Sequence, residues 1–275
     1  MKKLHDKTII VKVMAIVLMI AFFSCENDDG LSDEMINRES TILSIDNYRF
    51  NYNKKGHRIP NFEDAIFTDP TNIDQTSYYP LSSGKVYKFE TVFSQEGEIE
   101  TIEVYRTENT KIVNGITTVV QRDRVWVDGV LVEYTDDWLA KDDDGNLWYM
   151  GEESWSWDED IEDWVDDGSW EAGVDGAMAG YWMPVNPTVG MKYYQEFYKQ
   201  EAEDQAVVIE TGVEVTLENF PDPFVNCVVT KDFTKLEPVE YELKYYALGI
   251  GLIKEEKYEK NELTEIVELV AIEDL

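Results

Sequence analysis

The amino-acid sequence predicts an all-β protein: antiparallel hairpins forming a curved sheet, a sandwich or a partly closed barrel. Three observations carry this expectation. Short runs rich in Val, Ile, Thr, Tyr and Trp alternate apolar and polar residues with a period of two, as half-buried strands do. Asn-Gly and Asp-Gly pairs separate many of these runs, and both residues tolerate the positive φ that tight hairpins need. Amphipathic helix is hard to find, so nothing reads as a βαβ crossover.

The elements follow in order from about Tyr78. Residues 85–93 alternate almost perfectly, and residues 98–106 do the same. Asn114-Gly115 and Asp128-Gly129 each separate two runs, and Asp144-Gly145 and Asp167-Gly168 repeat the device. From Ser169 to Gly190 the rhythm breaks on Gly173, Gly176, Gly180, Pro184 and Pro187, which predicts a long loop with at most a helical turn. Strands resume over residues 191–200, 206–217, 224–233, 240–247, 251–258 and 263–272. The expected total is about ten to thirteen strands in one β domain spanning residues 78–275.

The N-terminus reads as an address. Lys2, Lys3, Lys7 and Lys12 precede an unbroken apolar run from Val13 to Phe23. That run is too short for a membrane span, which takes about 20 residues, and is the length of a secretory signal. It ends Ala21-Phe22-Phe23-Ser24-Cys25. A small residue before cysteine resembles the lipobox of Bacteroidota lipoproteins. The resemblance implies cleavage of residues 1–24 and acylation of Cys25 by palmitate-type chains. Glu26, Asp28 and Asp29 then resemble the acidic export signal that sends such lipoproteins to the outer face of the outer membrane. Residues 25–77 are polar and poorly periodic, which predicts a partly disordered tether with a short ordered piece around residues 61–67.

Charge bounds the partners. The chain carries a formal −33, and removing four lysines and one aspartate with the signal takes the mature chain to −36. Between Asp142 and Met191 there is no Lys, Arg or His. Such a surface repels nucleic acid and anionic lipid, and favours cations or neutral ligands. Histidine excludes more. His5 leaves with the signal, so any Ser-His-Asp or Cys-His machinery must use His57, and a zinc site of two histidines is impossible. Cys227 lies in an apolar run and reads as a core thiol. No glycine-rich phosphate loop or dinucleotide fingerprint occurs.

Three constellations are candidate sites. Asp142, Asp144 and Asn146 offer oxygen ligands at alternate spacing, as calcium prefers. Leu147 stands where an EF-type loop needs glycine, so an acidic hairpin tip is the competing reading. Seven of eight tryptophans lie between Trp138 and Trp182. Of these, Trp148, Trp155, Trp157 and Trp182 are the candidate platform for a neutral glycan, against the alternative that they build the core. Ser154-Trp155-Ser156-Trp157 puts two tryptophans on one face of a strand, whichever way it points. Glu171 and Asp175, in the broken stretch beside Trp170, are the candidate carboxylate pair for glycoside hydrolysis.

The tracts Asp137-Trp138-Leu139-Ala140 through Gly151-Glu152, Ser169-Trp170-Glu171-Ala172-Gly173-Val174-Asp175-Gly176-Ala177 and Gly249-Ile250-Gly251-Leu252 resemble a family of secreted bacterial proteins of unknown function. The resemblance covers about residues 78–258 and implies one secreted β domain. The expected function is therefore an envelope-anchored, non-enzymatic lipoprotein binding a neutral glycan or a divalent cation. The alternatives are a carboxylate-dependent glycan hydrolase and a structural lipoprotein with an envelope protein as partner.

Overall fold

The computed structural model describes residues 59–72, 77–81 and 84–275. The signal, Cys25, the acidic residues after it and His57 lie outside the described residues.

A 3-10 turn, Phe62–Asp64, precedes a chain of strands. The first five are long: β1 (Lys85–Ser94), β2 (Glu100–Val113), β3 (Ile116–Val127), β4 (Val130–Lys141) and β5 (Leu147–Asp158). Five short ones follow: β6 (Asp163–Asp166), β7 (Trp170–Glu171), β8 (Met178–Met183), β9 (Lys192–Tyr194) and β10 (Glu196–Phe197). The last five are β11 (Gln205–Val215), β12 (Phe224–Phe233), β13 (Glu240–Ala247), β14 (Gly251–Glu259) and β15 (Glu262–Asp274). All belong to one antiparallel sheet with the order β10-β8-β5-β4-β3-β2-β1-β15-β14-β13-β12-β11-β9, with β6 and β7 both pairing along β5.

This order explains itself strand by strand. β1 to β6 and β11 to β15 each pair with their neighbours in sequence, and β1 pairs β15 to join the first strand to the last. The turn residues Asn114-Gly115 and Asp128-Gly129 all adopt positive φ, from 48° to 81°, joining Val113↔Ile116 and Val127↔Val130 in two-residue turns. The two ends of the strand order, β9 and β10, are consecutive in the chain, separated by Gln195 alone. One segment therefore pairs β11 on one side and β8 on the other, and the sheet forms a nearly closed barrel. Gly180 permits this approach: a Cβ there would lie 2.2 Å from the carbonyl oxygen of Tyr194 and 2.5 Å from that of Gln195.

The long loop expected over residues 169–190 is corrected. It carries β7 and β8, and β8 pairs β5 with Trp148↔Tyr181 and Tyr149↔Gly180. Alternation is hidden there because Ala179 and Gly180 are both buried. Asp167-Gly168 is likewise not a hairpin turn, since the strands on either side of it pair along the same β5. Residues 191–200 are split at Gln195, where the segment exchanges one partner for the other.

One apolar cluster gathers Trp138, Leu139, Trp148, Tyr149, Met150, Trp170 and Met183 around β4, β5 and β8. A second gathers Phe89, Val104, Leu243, Tyr245, Ile253, Val267 and Leu269. Phe62 and Phe67 pack edge-on to Trp148 at 5.3 and 6.1 Å, so the stretch before the barrel covers part of its wall. Hydrogen bonds from Lys141 N to Pro70 O and from Asp143 N to Ile66 O hold it there. Farther on, Tyr79 and Leu81 are buried in the first cluster. Gly251, at φ +109°, leaves room for Arg106 and Tyr79, since a Cβ would meet Arg106 Nη2 at 2.6 Å.

Candidate functional site

Strand registers place a polar band on the barrel's inner wall. One row runs Arg106, Gln121, Asp137, Glu152 across β2 to β5, and the next runs Val104, Asp123, Thr135, Ser154. On the far side, Val267, Glu255, Lys244 and Thr230 form one row, and Glu265, Lys257, Glu242 and Asp232 another. In ordinary barrels of this kind the inner positions are filled by side chains or hold one small ligand.

Hydrogen bonds tie these groups into a network. Tyr79 Oη donates to Gln121 Oε1 at 2.7 Å, Gln121 Nε2 donates to Asp137 Oδ2 at 3.1 Å, and Tyr149 Oη donates to Asp137 Oδ1 at 2.6 Å. Lys257 ion-pairs with Glu100 at 2.8 Å and Glu265 at 3.0 Å. Lys244 pairs with Glu242 at 2.9 Å and approaches Asp232 and Glu255 at 3.9 and 4.0 Å. Arg106, 3% exposed, donates to Pro80 O and to Tyr87 Oη, and lies over the rings of Tyr79 and Tyr87.

Crowding carboxylates inside a wall shifts their protonation. Burial, reinforced by Glu242 and opposed by Lys244, pushes Glu255 up to about 8. Burial likewise pushes Asp137 up to about 6 against the hydrogen bonds from Tyr149 and Gln121, and Asp232 up to about 6 against Lys244. Asp123 is raised well above the usual range by burial and then by Asp137 and Glu133. Glu242 goes the other way, because Lys244 and Lys257 outweigh its burial. A cavity of about 140 Å³ lies inside this wall, bordered by Phe89, Ile102, Val104, Arg106, Asp123, Trp182, Lys244 and Glu255 among others.

The residues singled out in the sequence scatter over the molecule. Trp148 is 1% exposed and belongs to the core, with its indole N–H donating to Asp142 Oδ2 at 2.8 Å. Trp182 packs against Tyr79 and Tyr149 and borders the cavity. Trp155 and Trp157 are half-buried on the opposite side of β5 from Ser154 and Ser156, which are buried. Both serines are buried: Ser154 Oγ bonds with the buried Thr135 Oγ1 at 2.7 Å, and Ser156 Oγ donates to Oδ2 of the exposed Asp167 at 2.5 Å. The two tryptophans therefore face out. There Trp155 stacks on Tyr134 at 6.4 Å and 20°, Trp164 tilts onto Tyr134 at 4.9 Å, and Trp157 meets Trp164 edge-on at 5.6 Å.

Asp142, 4% exposed, is committed to its own turn: it accepts from Asn146 N at 2.8 Å and Asn146 Nδ2 at 2.9 Å as well as from Trp148. Asn146 Oδ1 in turn accepts from Val185 N, and Asp144 points to solvent. Asp142 and Asn146 thus bind each other and the backbone rather than an open coordination space, and no group of three or more His, Cys, Asp or Glu fit to hold a metal occurs among the described residues. Glu171 ion-pairs with Lys111 at 2.9 Å, and Asp175 sits exposed in the following turn at φ +49°. Neither borders the cavity.

Arg106, Asp123, Lys244 and Glu255 are not among the candidates that the sequence offers. Each sits on a strand whose two faces both carry apolar or aromatic residues, as in Glu240-Tyr241-Glu242-Leu243-Lys244-Tyr245-Tyr246. A usable signal was there: charged residues at every second position of neighbouring strands mark one continuous face, whichever way that face turns.

No protein-family model and no curated protein matches the chain. In shape it is similar to a candidate lipoprotein from Parabacteroides distasonis, 13% identical, with TM-score 0.37 over 73% of this chain and 100% of that one. It is similar in the same degree to a candidate exported protein with a YmcC-like fold from Bacteroides fragilis, 16% identical, with TM-score 0.37 over 72% of this chain and 100% of that one.

Proposed function

We propose that this chain is a lipid-anchored envelope protein that binds a neutral glycan on the outer aromatic shelf of Tyr134, Trp155, Trp157 and Trp164. The carrying observation is the outward turn of Trp155 and Trp157 while Ser154 and Ser156, on the opposite face of β5, are buried. Four adjacent half-buried rings outside a folded core are costly to leave facing water unless something stacks on them. Sugar rings present apolar faces to such surfaces and hydroxyls to their margins. The margin here is acidic: Glu153, Asp163 and Asp166 are exposed beside the rings and accept hydrogen bonds without adding positive charge. An anionic polysaccharide is disfavoured by the same acids.

The anchor rests on Cys25, the lysines and apolar run before it, and the acids after it. Acyl chains contribute about 0.8 kcal/mol per buried methylene, so a doubly acylated cysteine holds the protein at the membrane without a spanning segment. Glu26, Asp28 and Asp29 favour the cell surface, where a glycan ligand is met.

Calorimetry of the mature chain against a panel of neutral oligosaccharides tests the shelf. At least one should bind, and Trp155→Ala with Trp157→Ala should weaken it tenfold or more while thermal unfolding stays within a few degrees. No heat from any neutral glycan would remove the reading. For the anchor, palmitate labelling should vanish in Cys25→Ala, and surface proteolysis of intact cells should cleave the wild type.

A further inference from the structure

The inner wall points to a second site, independent of the outer shelf. We infer that the cavity inside the barrel binds a compact neutral amphiphile: one ring-sized apolar body with a carboxamide-type head that both accepts and donates hydrogen bonds.

Size comes first. The cavity is about 140 Å³. An engineered apolar cavity of about 150 Å³ holds benzene, so the space suits a single six-membered ring and a short head group. Wall chemistry then divides the ligand. Phe89, Val104 and Val267 give the cavity an apolar lining, against which burying a ring is favourable.

The head follows from unpaired polar atoms among the same lining residues. Arg106 Nε, Trp182 Nε1 and Asp123 Oδ1 are buried and have no hydrogen-bond partner. All three side chains border the cavity. Two are N–H donors and the third is an acceptor. Buried polar groups without partners are destabilising, so a ligand that pairs them recovers that cost. The three atoms are occluded, and reaching them takes a side-chain rotation of the kind common on binding.

Net charge of the head is decided by what surrounds it. An anion would lose its hydration to the same buried wall that makes Asp123 and Glu255 hold their protons, and would meet Glu242 in the neighbouring row. A cation would meet Arg106, which ion-pairs with no carboxylate among the described residues, and Lys244. A neutral amide avoids both: its carbonyl accepts from Arg106 and Trp182, and its N–H donates to Asp123.

Four probes of one size separate the alternatives: benzamide, benzoate, benzylamine and toluene. Binding is read by saturation-transfer NMR on the mature chain at pH 7. Benzamide should bind at least tenfold more tightly than each of the other three. Val104→Phe, which fills the cavity, should abolish the signal, and Val267→Leu fills it by a smaller step if the first variant fails to fold. Trp182→Phe keeps the ring and removes the N–H, and should weaken benzamide several-fold without changing the affinity for toluene. Benzoate or benzylamine binding as tightly as benzamide would overturn the neutral head. Silence from all four probes, or benzamide binding unchanged in the filled cavity, would overturn the site. Glycan binding at Trp155 and Trp157 is unaffected by any of these results.

Discussion

Asp142 spends its carboxylate on the turn it sits in. Its carboxylate accepts from the backbone and side chain of Asn146 and from the indole of Trp148. These hydrogen bonds join the β4–β5 turn to the largest fully buried side chain of the core. Asp142→Ala strands the Trp148 N–H in an apolar cluster and should cost about 1–3 kcal/mol in chemical denaturation. Millimolar calcium should leave the melting temperature of the wild type unchanged. A calcium-dependent rise would restore the metal reading. Spacing in the sequence identified these oxygens as available ligands. It could not reveal that Asn146 and Trp148 are their partners, because both contacts depend on how the turn closes.

Elements tell a similar story at larger scale. The strands with clean alternation and Asn-Gly or Asp-Gly turns were legible, and β1 through β4 lie where the pattern puts them. β7 and β8 were not, because alternation fades where both faces of a strand are buried. Gly180 looked like a loop glycine and is instead the point where β8 meets the segment that closes the barrel. Gly180→Ala must push backbone away on that seam, since its Cβ would sit 2.2 Å from a carbonyl oxygen. The expected cost is about 3 kcal/mol, with hydrogen exchange accelerated first in β9 and β10. Protection unchanged at that seam would mean the closure is not what makes this glycine necessary.

For the whole molecule, the acidic lumen links stability to pH. Asp137 and Asp232, raised to about 6, and Glu255, raised to about 8, hold their protons to higher pH in the folded state than in the unfolded chain. Carboxylates of the unfolded chain ionise near pH 4, so folding takes up protons between about pH 4 and 8. Stability should therefore fall as pH rises through that window. Glu242, lowered by Lys244 and Lys257, opposes this only below its ordinary value: its contribution is present above about pH 4.5 and is lost on acidification. The melting temperature should be higher at pH 5 than at pH 8, and Glu255→Gln should flatten the upper half of the curve. A melting temperature that rises from pH 5 to pH 8 in the wild type would contradict these protonation states.

By itself the sequence determined the strands, most of the tight turns and the acidic charge, and it offers the resemblance to a lipoprotein address at Cys25. Each of these is local: period-two alternation, positive φ at Asn-Gly, a lysine-rich start and an apolar run are read within a few residues. Only the tertiary structure decided which face turns inward. Alternation puts Trp155 and Trp157 on one side of a strand and Ser154 and Ser156 on the other, and says nothing about which side the barrel encloses. That choice belongs to long-range pairings, β1 with β15 and the Gln195 segment with both edges. These set the direction of curvature, and so turned the tryptophans outward and drew Arg106, Asp123, Lys244 and Glu255 around one cavity.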